Sequence, residues 1–502
     1  MLFEPFNEHN QKLKSHVFPD EWTNPKPSGR YNLVVIGGGP AGLIISAGAA
    51  GLGAKVALIE KHALGGDCLN VGCVPSKALI RAGRAAHEAR TAGERFGIHT
   101  GEVSVDFAAV MNRMRKLRAG ISHVDGAKRY QEELGVDVFL GEGQFLDANR
   151  IQVGDDILEF KKATITTGAR AARVPIPGLW ENGALSNESV FSLTELPKRL
   201  AVIGAGPIGC ELAQAFRRLG SEVTIFDNAA HILAREDAEA AAIISEAFER
   251  EGLKVVNSCS VDKVTAEGDT KTVHITKDGK EETFDVDQIL VGVGRAPNVE
   301  GLDLEKAGVQ YDRNGIKVND NLQTTTSNIY AAGDVAMKLK FTHTADAAAR
   351  IVIQNALFMG KKKLSTLVVP WSTYTEPEIA HVGLYEHEAK EQGIEIDTFK
   401  QEFNHVDRAI LDGDDEGFVK VHTKKGTGEI LGATIVAANA GDLISELSVA
   451  ITNGVSLGQI ASTIHPYPTQ GEAIKKVGDS FNRTKLTPTV ANLMKKWLSW
   501  TR

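Results

Sequence analysis

Cys68 and Cys73, two of the four cysteines, lie five positions apart in a glycine-rich run and are the residues best suited to redox chemistry. In a regular helix, residues i and i+5 are roughly 8–9 Å apart at Cα, whereas a disulfide needs about 4.4–6.8 Å. The backbone between them must therefore bend, which Asn70 and Gly72 allow. This pattern predicts a reversible redox disulfide. Two buried, reduced cysteines or half of a metal site are the alternatives, although no second Cys/His pair follows at ligand spacing.

Pro75 suits the first turn of a helix that continues through Ser76 and Lys77. Cys73 is then expected immediately before a helix N-terminus. There the helix dipole and the Lys77 ammonium favour the thiolate form of the cysteine. The sequence therefore predicts one activated thiol in the pair.

Composition limits the classes of protein to consider. A chain of 502 residues can form two to four domains. Its net charge of −8 is spread along the chain and predicts no nucleic-acid surface. Four cysteines make no disulfide framework, and the start of the chain has no signal-peptide pattern, so we expect a reducing, cytoplasmic location.

Two glycine motifs of the form G-x-G-x-x-G follow buried, strand-like runs at Tyr31–Ile36 and Arg199–Ile203 and precede helical segments. In each case a second strand ends at an acid 18 residues after the last glycine. This context predicts two dinucleotide sites, in which the glycines approach a pyrophosphate and the acid accepts from a ribose hydroxyl. A plain strand–helix turn is the alternative. The residues concerned are Gly37, Gly39, Gly42 and Glu60 in the first motif, and Gly204, Gly206, Gly209 and Asp227 in the second.

The acid of the second motif bears on the choice of nucleotide. Asp227 favours a free ribose 2′-hydroxyl, and hence NADH. Asn228 and Ala229 supply no guanidinium for a 2′-phosphate, and Arg235 is the nearest candidate. A third strand-and-turn segment ends at Gly333 and Asp334, where the aspartate can accept from a cofactor hydroxyl or make an ordinary Asx turn.

The last residues, 483–502, have apolar side chains at helical spacing, with Lys495 and Lys496 on the opposite face. This pattern predicts an amphipathic helix. It can pack on its own body or on a dimer mate, or it can contact a membrane surface or another partner.

The chain resembles the pyridine nucleotide–disulfide oxidoreductases, which include dihydrolipoamide dehydrogenase, glutathione reductase and mercuric reductase. The resemblance covers nearly all of residues 31–483. It is carried by the Gly-Gly-x-Cys-x4-Cys-Val-Pro-Ser-Lys run, both glycine motifs, the Gly-Arg-x-Pro-Asn run at 294–298 and the Ala-Gly-Asp turn at 332–334. It implies FAD in the first site, NAD(P)H in the second, and a homodimer whose active site takes residues from both subunits. Gly66, Thr167, Gly168 and Gly294 are added to the residues expected at the cofactors.

The implied fold class is α/β, with two Rossmann-like dinucleotide-binding domains and a C-terminal α+β interface domain. We expect an N-terminal arm at residues 1–30, the FAD-binding domain at 31–172 and 295–365, and the NAD(P)-binding domain between them at 173–294. The interface domain is expected at 366–482 and the amphipathic tail at 483–502.

The resemblance also implies roles for individual residues. Cys73 would lie against the flavin as the charge-transfer thiolate, and Cys68 would be the interchange thiol that faces substrate. Lys77 would sit near flavin N5 and pair with Glu211, which otherwise is a helix first-turn acid. Electrons would pass from the nicotinamide to the flavin, then to the disulfide, and finally to a small-molecule acceptor.

The chain departs from the family at the acceptor side. Thiol-reducing members have a His-x-His-Pro-Thr-x-x-Glu pattern whose second histidine is a base; here Tyr467 holds that position, with Glu472 following and His465 two places early. Tyrosine is a poor proton shuttle at neutral pH. A tyrosine at this position resembles mercuric reductases. However, those enzymes also have a C-terminal cysteine pair, which has no counterpart here because the last cysteine is Cys259.

Three functions follow from these observations. The first is a mercuric-reductase-like enzyme that reduces Hg(II), a quinone or a reactive electrophile. The second is a dihydrolipoamide dehydrogenase in which Tyr467 or His465 replaces the base. The third is a non-enzymatic redox or nucleotide sensor that signals through its tail.

Overall fold

A computed structural model describes residues 2–502. Several of its helices begin at a side-chain cap, as at Asn7, Asp106, Asp237 and Thr487, where a side-chain oxygen accepts from a backbone N–H of the first turn. The α-helices are Glu8–Val17 (α1), Pro40–Gly51 (α2), Gly66–Asn70 (α3), Cys73–Phe96 (α4), Phe107–Ile121 (α5), Pro207–Leu219 (α6), Ala238–Arg250 (α7), Thr342–Leu357 (α8), Glu386–Glu391 (α9), Asp407–Asp412 (α10), Ala440–Thr452 (α11), Leu457–Ser462 (α12), Glu472–Thr484 (α13) and Pro488–Trp500 (α14).

The strands form a parallel core in each nucleotide fold and an antiparallel sheet near the end of the chain. They are Tyr31–Ile36 (β1), Val56–Glu60 (β2), Asp137–Leu140 (β3), Gly143–Asp147 (β4), Arg150–Val153 (β5), Asp156–Ile165 (β6), Ala169–Ala171 (β7), Arg199–Ile203 (β8), Glu222–Phe226 (β9), Lys254–Val256 (β10), Cys259–Glu267 (β11), Thr270–Lys277 (β12), Lys280–Val286 (β13), Gln288–Val291 (β14), Arg295–Pro297 (β15), Tyr311–Asp312 (β16), Gly315–Ile316 (β17), Ile329–Ala331 (β18), Trp371–Thr373 (β19), Glu378–Gly383 (β20), Ile396–Glu402 (β21), Phe418–Lys424 (β22) and Ile430–Ala437 (β23).

The first nucleotide fold is a seven-stranded sheet in the order β3-β2-β1-β6-β5-β4, with β18 also paired to β6. Strands β3, β2, β1 and β6 pair in parallel, and β18 joins β6 in parallel. Helices α2 and α8 pack together on the sheet. Such a sheet is covered on both faces, which explains why β1 and β2 are almost continuously apolar.

The second nucleotide fold repeats the arrangement with the parallel order β10-β9-β8-β14. An antiparallel sheet of β11, β12 and β13 follows, and the short pair β7–β15 links the two folds. The predicted strands at Tyr31–Ile36 and Arg199–Ile203 have the predicted bounds. The α/β class with two Rossmann-like units is therefore confirmed.

The C-terminal part contains the five-stranded antiparallel sheet β19-β20-β23-β22-β21. The sequence of Tyr374–Val382 reads as one strand, but that prediction is wrong, because residues 374–377 form a bend between β19 and β20. That bend contains a cis Glu376–Pro377 bond. The bond between Tyr467 and Pro468 is also cis.

The two ends of the chain differ in their packing. The N-terminal arm contains the helix α1, whose Leu13 and Val17 are fully buried, and the Trp22 indole donates to the Val138 carbonyl over 3.2 Å. The tail helix α14 has no buried residue, so of the alternatives predicted for it, packing on its own body is not observed. Within residues 2–502, every helix is too short or too polar to cross a bilayer.

Candidate active site

The glycine motifs begin and end with residues that only glycine can occupy. A Cβ on Gly37, at φ +107°, would lie 2.4 Å from the Thr166 carbonyl oxygen, and one on Gly42 would lie 1.8 Å from the Gly37 oxygen. In the second motif, a Cβ on Gly209 would lie 1.9 Å from the Gly204 oxygen. The first and last glycines therefore allow the tight turn and the close approach of helix to strand.

The middle glycines have a different surrounding. A Cβ on Gly206 would meet nothing within 4 Å, and one on Gly39 would meet only the Gly66 Cα, at 3.7 Å. Both line a cavity of about 3310 Å³ that runs along the two nucleotide folds. They border open space at the N-termini of α2 and α6, where backbone N–H groups favour an anion. The residues present thus fit the pyrophosphate groups of two dinucleotides.

Most of the predicted cofactor residues line this cavity, and only the last glycine of each motif, Gly42 and Gly209, lies behind it. The predicted cofactor residues along the cavity are Gly37, Gly39, Glu60, Gly66, Thr167, Gly168, Gly204, Gly206, Asp227, Gly294, Gly333 and Asp334.

The two predicted ribose acceptors, Glu60 and Asp227, also brace their own glycine loops. Glu60 Oε2 accepts from the Gly38 N–H at 2.6 Å, and Asp227 Oδ2 accepts from the Ala205 N–H at 2.5 Å. Because each carboxylate oxygen has more than one lone pair, both can still accept from a ribose hydroxyl. The same carboxylate can therefore shape the loop and bind the sugar.

The cysteine motif forms two helices with a break between them. Helix α3 ends at Asn70 and α4 starts at Cys73, with Gly72 at the N-cap. A Cβ on Gly72 would lie 2.8 Å from the Asp67 carbonyl oxygen, which explains the glycine. Cys68 and Cys73 are both free thiols in the structure and both line the cavity. The predicted bend is therefore present, and Cys73 is the first residue of its helix rather than the one before it.

The two thiols differ in acidity. The hydrogen bond from Cys68 lowers the pKa of Cys73 to about 6, helped by Thr342 and by the charge of Lys77. The same hydrogen bond, together with burial, raises the pKa of Cys68 above its ordinary value. The pair thus holds one thiolate, on Cys73, stabilised by a proton that Cys68 keeps.

Lys77 and Glu211 join the two nucleotide folds beside these cysteines. Lys77 Nζ donates to Glu211 Oε2 over 2.7 Å, and the Tyr374 N–H donates to Glu211 Oε1 over 2.9 Å. The Lys77 ammonium also lies 4.4 Å from the centre of the Tyr374 ring. The Glu211 side chain is only 7% exposed, so this carboxylate is a buried acceptor rather than a surface first-turn acid.

Sequence reasoning missed two contributors to the site. Thr342, at the start of α8, lies 3.4 Å from the Cys73 sulfur through its hydroxyl. Arg295 donates to the Ala169 carbonyl over 2.6 Å and to Asp67, and lies 3.7 Å from Asp334. Arg295 could have been found from the Gly-Arg-x-Pro-Asn run, whereas Thr342 has no motif around it.

Tyr467 and Glu472, which the sequence predicts for the acceptor side, lie outside the cavity of their own chain. Tyr467 is 70% exposed, and its hydroxyl donates to Asp407 over 2.8 Å. That hydrogen bond raises the pKa of Tyr467. Glu472 has one buried carboxylate oxygen without a hydrogen-bond partner among the described residues. The His465 imidazole lies 2.9 Å from the carboxylate of Glu446 rather than beside Glu472.

The described residues contain no group of three or more His, Cys, Asp or Glu side chains arranged to hold a metal ion. Cys210 and Cys259 are buried in the second nucleotide fold, and burial raises the pKa of both. Cys210 lies outside the cavity, whereas Cys259 lines it as a single cysteine, so the Cys68–Cys73 pair is the one place along the cavity where two of the described cysteines lie together.

Comparison with known proteins shows the same organisation. The pyridine nucleotide-disulphide oxidoreductase family matches residues 31–349, and its dimerisation domain matches residues 369–477. A solved structure, the HOCl-induced flavoprotein disulfide reductase RclA from Escherichia coli, superposes with a TM-score of 0.80 at 27% identity, over 89% of this chain and 99% of that one. RclA is also known as a Cu(II) complex.

Two curated relatives cover most of the chain. Mercuric reductase of Bacillus cereus is 34% identical over 484 residues, which are 96% of this chain and 76% of that protein. Dihydrolipoyl dehydrogenase of Geobacillus stearothermophilus is 37% identical over 448 residues, 88% of this chain and 93% of that protein. The chain therefore belongs to the pyridine nucleotide-disulphide oxidoreductases, enzymes that use FAD and NAD(P)H, and it carries the dimerisation domain of that family.

Proposed function

We propose that this protein uses NADH to reduce the Cys68–Cys73 disulfide and passes the electrons to an acceptor that needs no strong protein base. Hg(II) is the acceptor we favour, and a quinone or another reactive electrophile meets the same requirement. The proposal is carried by a difference between the two sides of the reaction: Cys73 is a thiol of lowered pKa, whereas the position of the base is held by a tyrosine, Tyr467, which is exposed.

Bound FAD supplies a two-electron carrier between the nicotinamide and the cysteines. Reduction of the disulfide consumes two electrons and two protons and gives two thiols. Cys68 keeps its proton, while Cys73 releases one above its lowered pKa. Lys77, held by Glu211, places a positive charge beside that thiolate and stabilises it.

The reduced pair then binds a soft metal ion through sulfur. Thiolates are the ligands that soft ions prefer, and loss of the remaining thiol proton accompanies binding. Two further electrons, which bound FAD would pass on from NADH, would reduce the sulfur-held Hg(II) to metallic mercury and leave both cysteines reduced. Since the acceptor itself displaces the proton, no histidine base is required.

In the proposed homodimer, a second copy brings Tyr467 of the partner subunit to the Cys68 side of the cavity. This arrangement would explain why Tyr467 is exposed and lies outside the cavity in a single chain. The phenol would contribute a hydroxyl near the acceptor. It retains its proton at neutral pH, because tyrosine ordinarily has a pKa of about 10 and the hydrogen bond to Asp407 raises the pKa of Tyr467 further.

Dihydrolipoamide oxidation is the second candidate. It is supported by the identity to dihydrolipoyl dehydrogenase and by the His465–Glu446 contact at 2.9 Å, which places an imidazole beside a carboxylate in the interface domain. It requires that His465 replace the base that Tyr467 cannot supply.

An acceptor screen of the purified holoenzyme with NADH and NADPH tests the proposal. We expect NADH-dependent reduction of Hg(II) that is lost in Cys68→Ser and Cys73→Ser, and slow turnover of lipoamide. Cys210→Ser, outside the cavity, is the control. Rapid lipoamide turnover with no reduction of Hg(II) would overturn the proposal in favour of the second candidate. In cells, we place the reaction in the cytoplasm.

A further inference from the structure

The tail helix α14, Pro488–Trp500, has one wide apolar face that the rest of the described chain leaves uncovered. Successive residues turn by about 100° around a helix. Its large apolar side chains therefore share one half of the circumference, while Asn492, Lys495, Lys496 and Ser499 occupy the other. The apolar face is formed by Val490, Leu493, Met494, Trp497, Leu498 and Trp500.

This face is exposed from Leu493 to Trp500. No residue of α14 is buried, and the exposed fractions of Leu493, Trp497 and Trp500 are 69%, 61% and 79%. The helix nevertheless has a defined start, because the Thr487 side chain accepts from the Val490 N–H and Pro488 occupies the first turn. A capped helix with an uncovered apolar half indicates a binding surface.

The charges of the tail indicate the kind of surface it binds. From Lys485 to Arg502 the chain has four basic residues and no acidic one, whereas the whole chain has a net charge of −8. Lys495 and Lys496 fall at the two edges of the apolar face. From there their aliphatic stems can lie along a lipid surface while their ammonium groups reach anionic headgroups. Tryptophan is favoured at the same depth, between headgroups and acyl chains.

We propose that α14 binds the surface of an anionic lipid membrane, with its axis in the plane of the bilayer. Thirteen residues span only about 20 Å, and a membrane-crossing helix needs about 20 apolar residues. The combination of a wide apolar face, edge lysines and two tryptophans matches an interfacial helix. The proposal is independent of the electron acceptor and concerns where the enzyme is held.

A second copy of the chain fits this face less well than lipid does. The matched dimerisation domain ends at residue 477, before the tail begins. Two tails would also bring like charges together, which is unfavourable. Lipid instead satisfies the apolar face and the basic edges at once.

Flotation of the full-length holoenzyme with vesicles tests the proposal. Vesicles of phosphatidylcholine alone are compared with vesicles that also contain phosphatidylglycerol. We expect binding to the anionic vesicles only, with a blue shift of tryptophan emission. Leu493→Gln should weaken binding about tenfold or more, while Asn492→Gln, the same new side chain on the polar face, should not. Replacing Lys495 and Lys496 with Gln should weaken it roughly 30-fold.

Several outcomes would overturn the proposal. One is the absence of binding to either type of vesicle. Another is equal loss of binding in Leu493→Gln and Asn492→Gln. A third is that Leu493→Gln dissociates the dimer while the wild-type protein does not bind lipid. That result would show that the apolar face contacts a second copy of the chain. NADH-dependent reduction of the flavin, measured in parallel, shows that each variant is folded.

Discussion

The Lys77 ammonium and the Glu211 carboxylate form an ion pair of 2.7 Å that joins helix α4 of the cysteine motif to helix α6 of the second nucleotide fold. The two residues are 134 positions apart in the chain. The carboxylate is buried while the ammonium is 38% exposed toward the cavity. The pair thus fixes the position of a positive charge beside Cys73 and also connects the two nucleotide folds.

We expect Glu211→Gln to lower both stability and the rate of flavin reduction by NADH. The amide still accepts from the Tyr374 N–H but turns its NH₂ group toward Lys77. The free energy of unfolding should fall by about 1–2 kcal/mol, since the ammonium can regain water. Reduction should slow about tenfold, equivalent to about 1.4 kcal/mol of barrier. Denaturant unfolding and stopped-flow absorbance measure the two effects.

A double-mutant cycle with Lys77→Met separates the pair from its surroundings. If the ion pair acts as a unit, the double variant should be less impaired than the sum of the single variants, by at least about 0.5 kcal/mol. Additive effects would show that Lys77 and Glu211 act independently and would contradict this interpretation.

The pH dependence of the Cys73 thiolate should depend on the residue at position 68. Because its pKa is lowered, the thiolate is present above about pH 6 and is lost as the pH falls through that value. Cys68→Ser retains a hydrogen-bond donor and should keep the pKa low. Cys68→Ala removes the donor, the largest cause of the shift, and should raise the pKa. The long-wavelength absorbance of thiolate beside bound, oxidised FAD reports the titration.

Cys73→Ser is the control for this titration and should lack the absorbance band at every pH. The reverse pattern, a band in Cys73→Ser and none in Cys68→Ser, would exchange the roles of the two cysteines.

Structural features that depend on residues close together in the chain were predicted well from the sequence. The glycine motifs, the bend at Gly72 and the strand bounds at Tyr31–Ile36 follow from local rules of turn, helix and strand formation. Contacts between segments that are distant in the chain were not predicted. Nothing near Thr342 reveals that the start of α8 reaches the Cys73 sulfur. The bend at residues 374–377 was missed because its apolar and aromatic neighbours resemble a continuous strand.

The carboxylates show a different limit. Glu60 was predicted from its spacing as a ribose acceptor, but its hydrogen bond to the Gly38 N–H depends on where the loop and the end of β2 meet in space. Tyr467 shows the limit of a single chain, because within one subunit it does not line the cavity that contains Cys68. A place for Tyr467 at the cavity requires the homodimer that we propose.

Tyr467→His should increase turnover of lipoamide with NADH. The tyrosine hydroxyl has a raised pKa because it donates to Asp407, whereas a histidine titrates near neutral pH. General-base catalysis contributes about 10²–10⁴-fold, so kcat/KM for lipoamide should rise at least about tenfold even with imperfect placement. Steady-state assays measure the change. Tyr467→Phe is the control, and its kcat/KM for lipoamide should not rise. An equal rise of kcat/KM in both variants would rule out base catalysis.

The nucleotide preference should follow Asp227. Its Oδ2 is held by the Ala205 N–H and its Oδ1 by the Ala229 N–H, at 2.5 and 2.7 Å, so the carboxylate is fixed at the end of β9. We expect a preference for NADH, because the charge repels a 2′-phosphate. Asp227→Ser combined with Asn228→Arg should shift kcat/KM toward NADPH about tenfold or more. A wild-type enzyme that prefers NADPH would contradict the assignment.

The second glycine motif allows the same substitution to be compared at two positions. Gly206→Ala places a methyl group in open space on the cavity side, so the variant should fold normally and retain FAD. Its KM for NADH should rise, because the methyl group occupies the approach to the pyrophosphate. Gly209→Ala places the methyl group 1.9 Å from the Gly204 oxygen, so it should destabilise the fold itself. Thermal unfolding and NADH kinetics distinguish the two. If Gly206→Ala left the KM unchanged, the nucleotide would have to bind away from this loop.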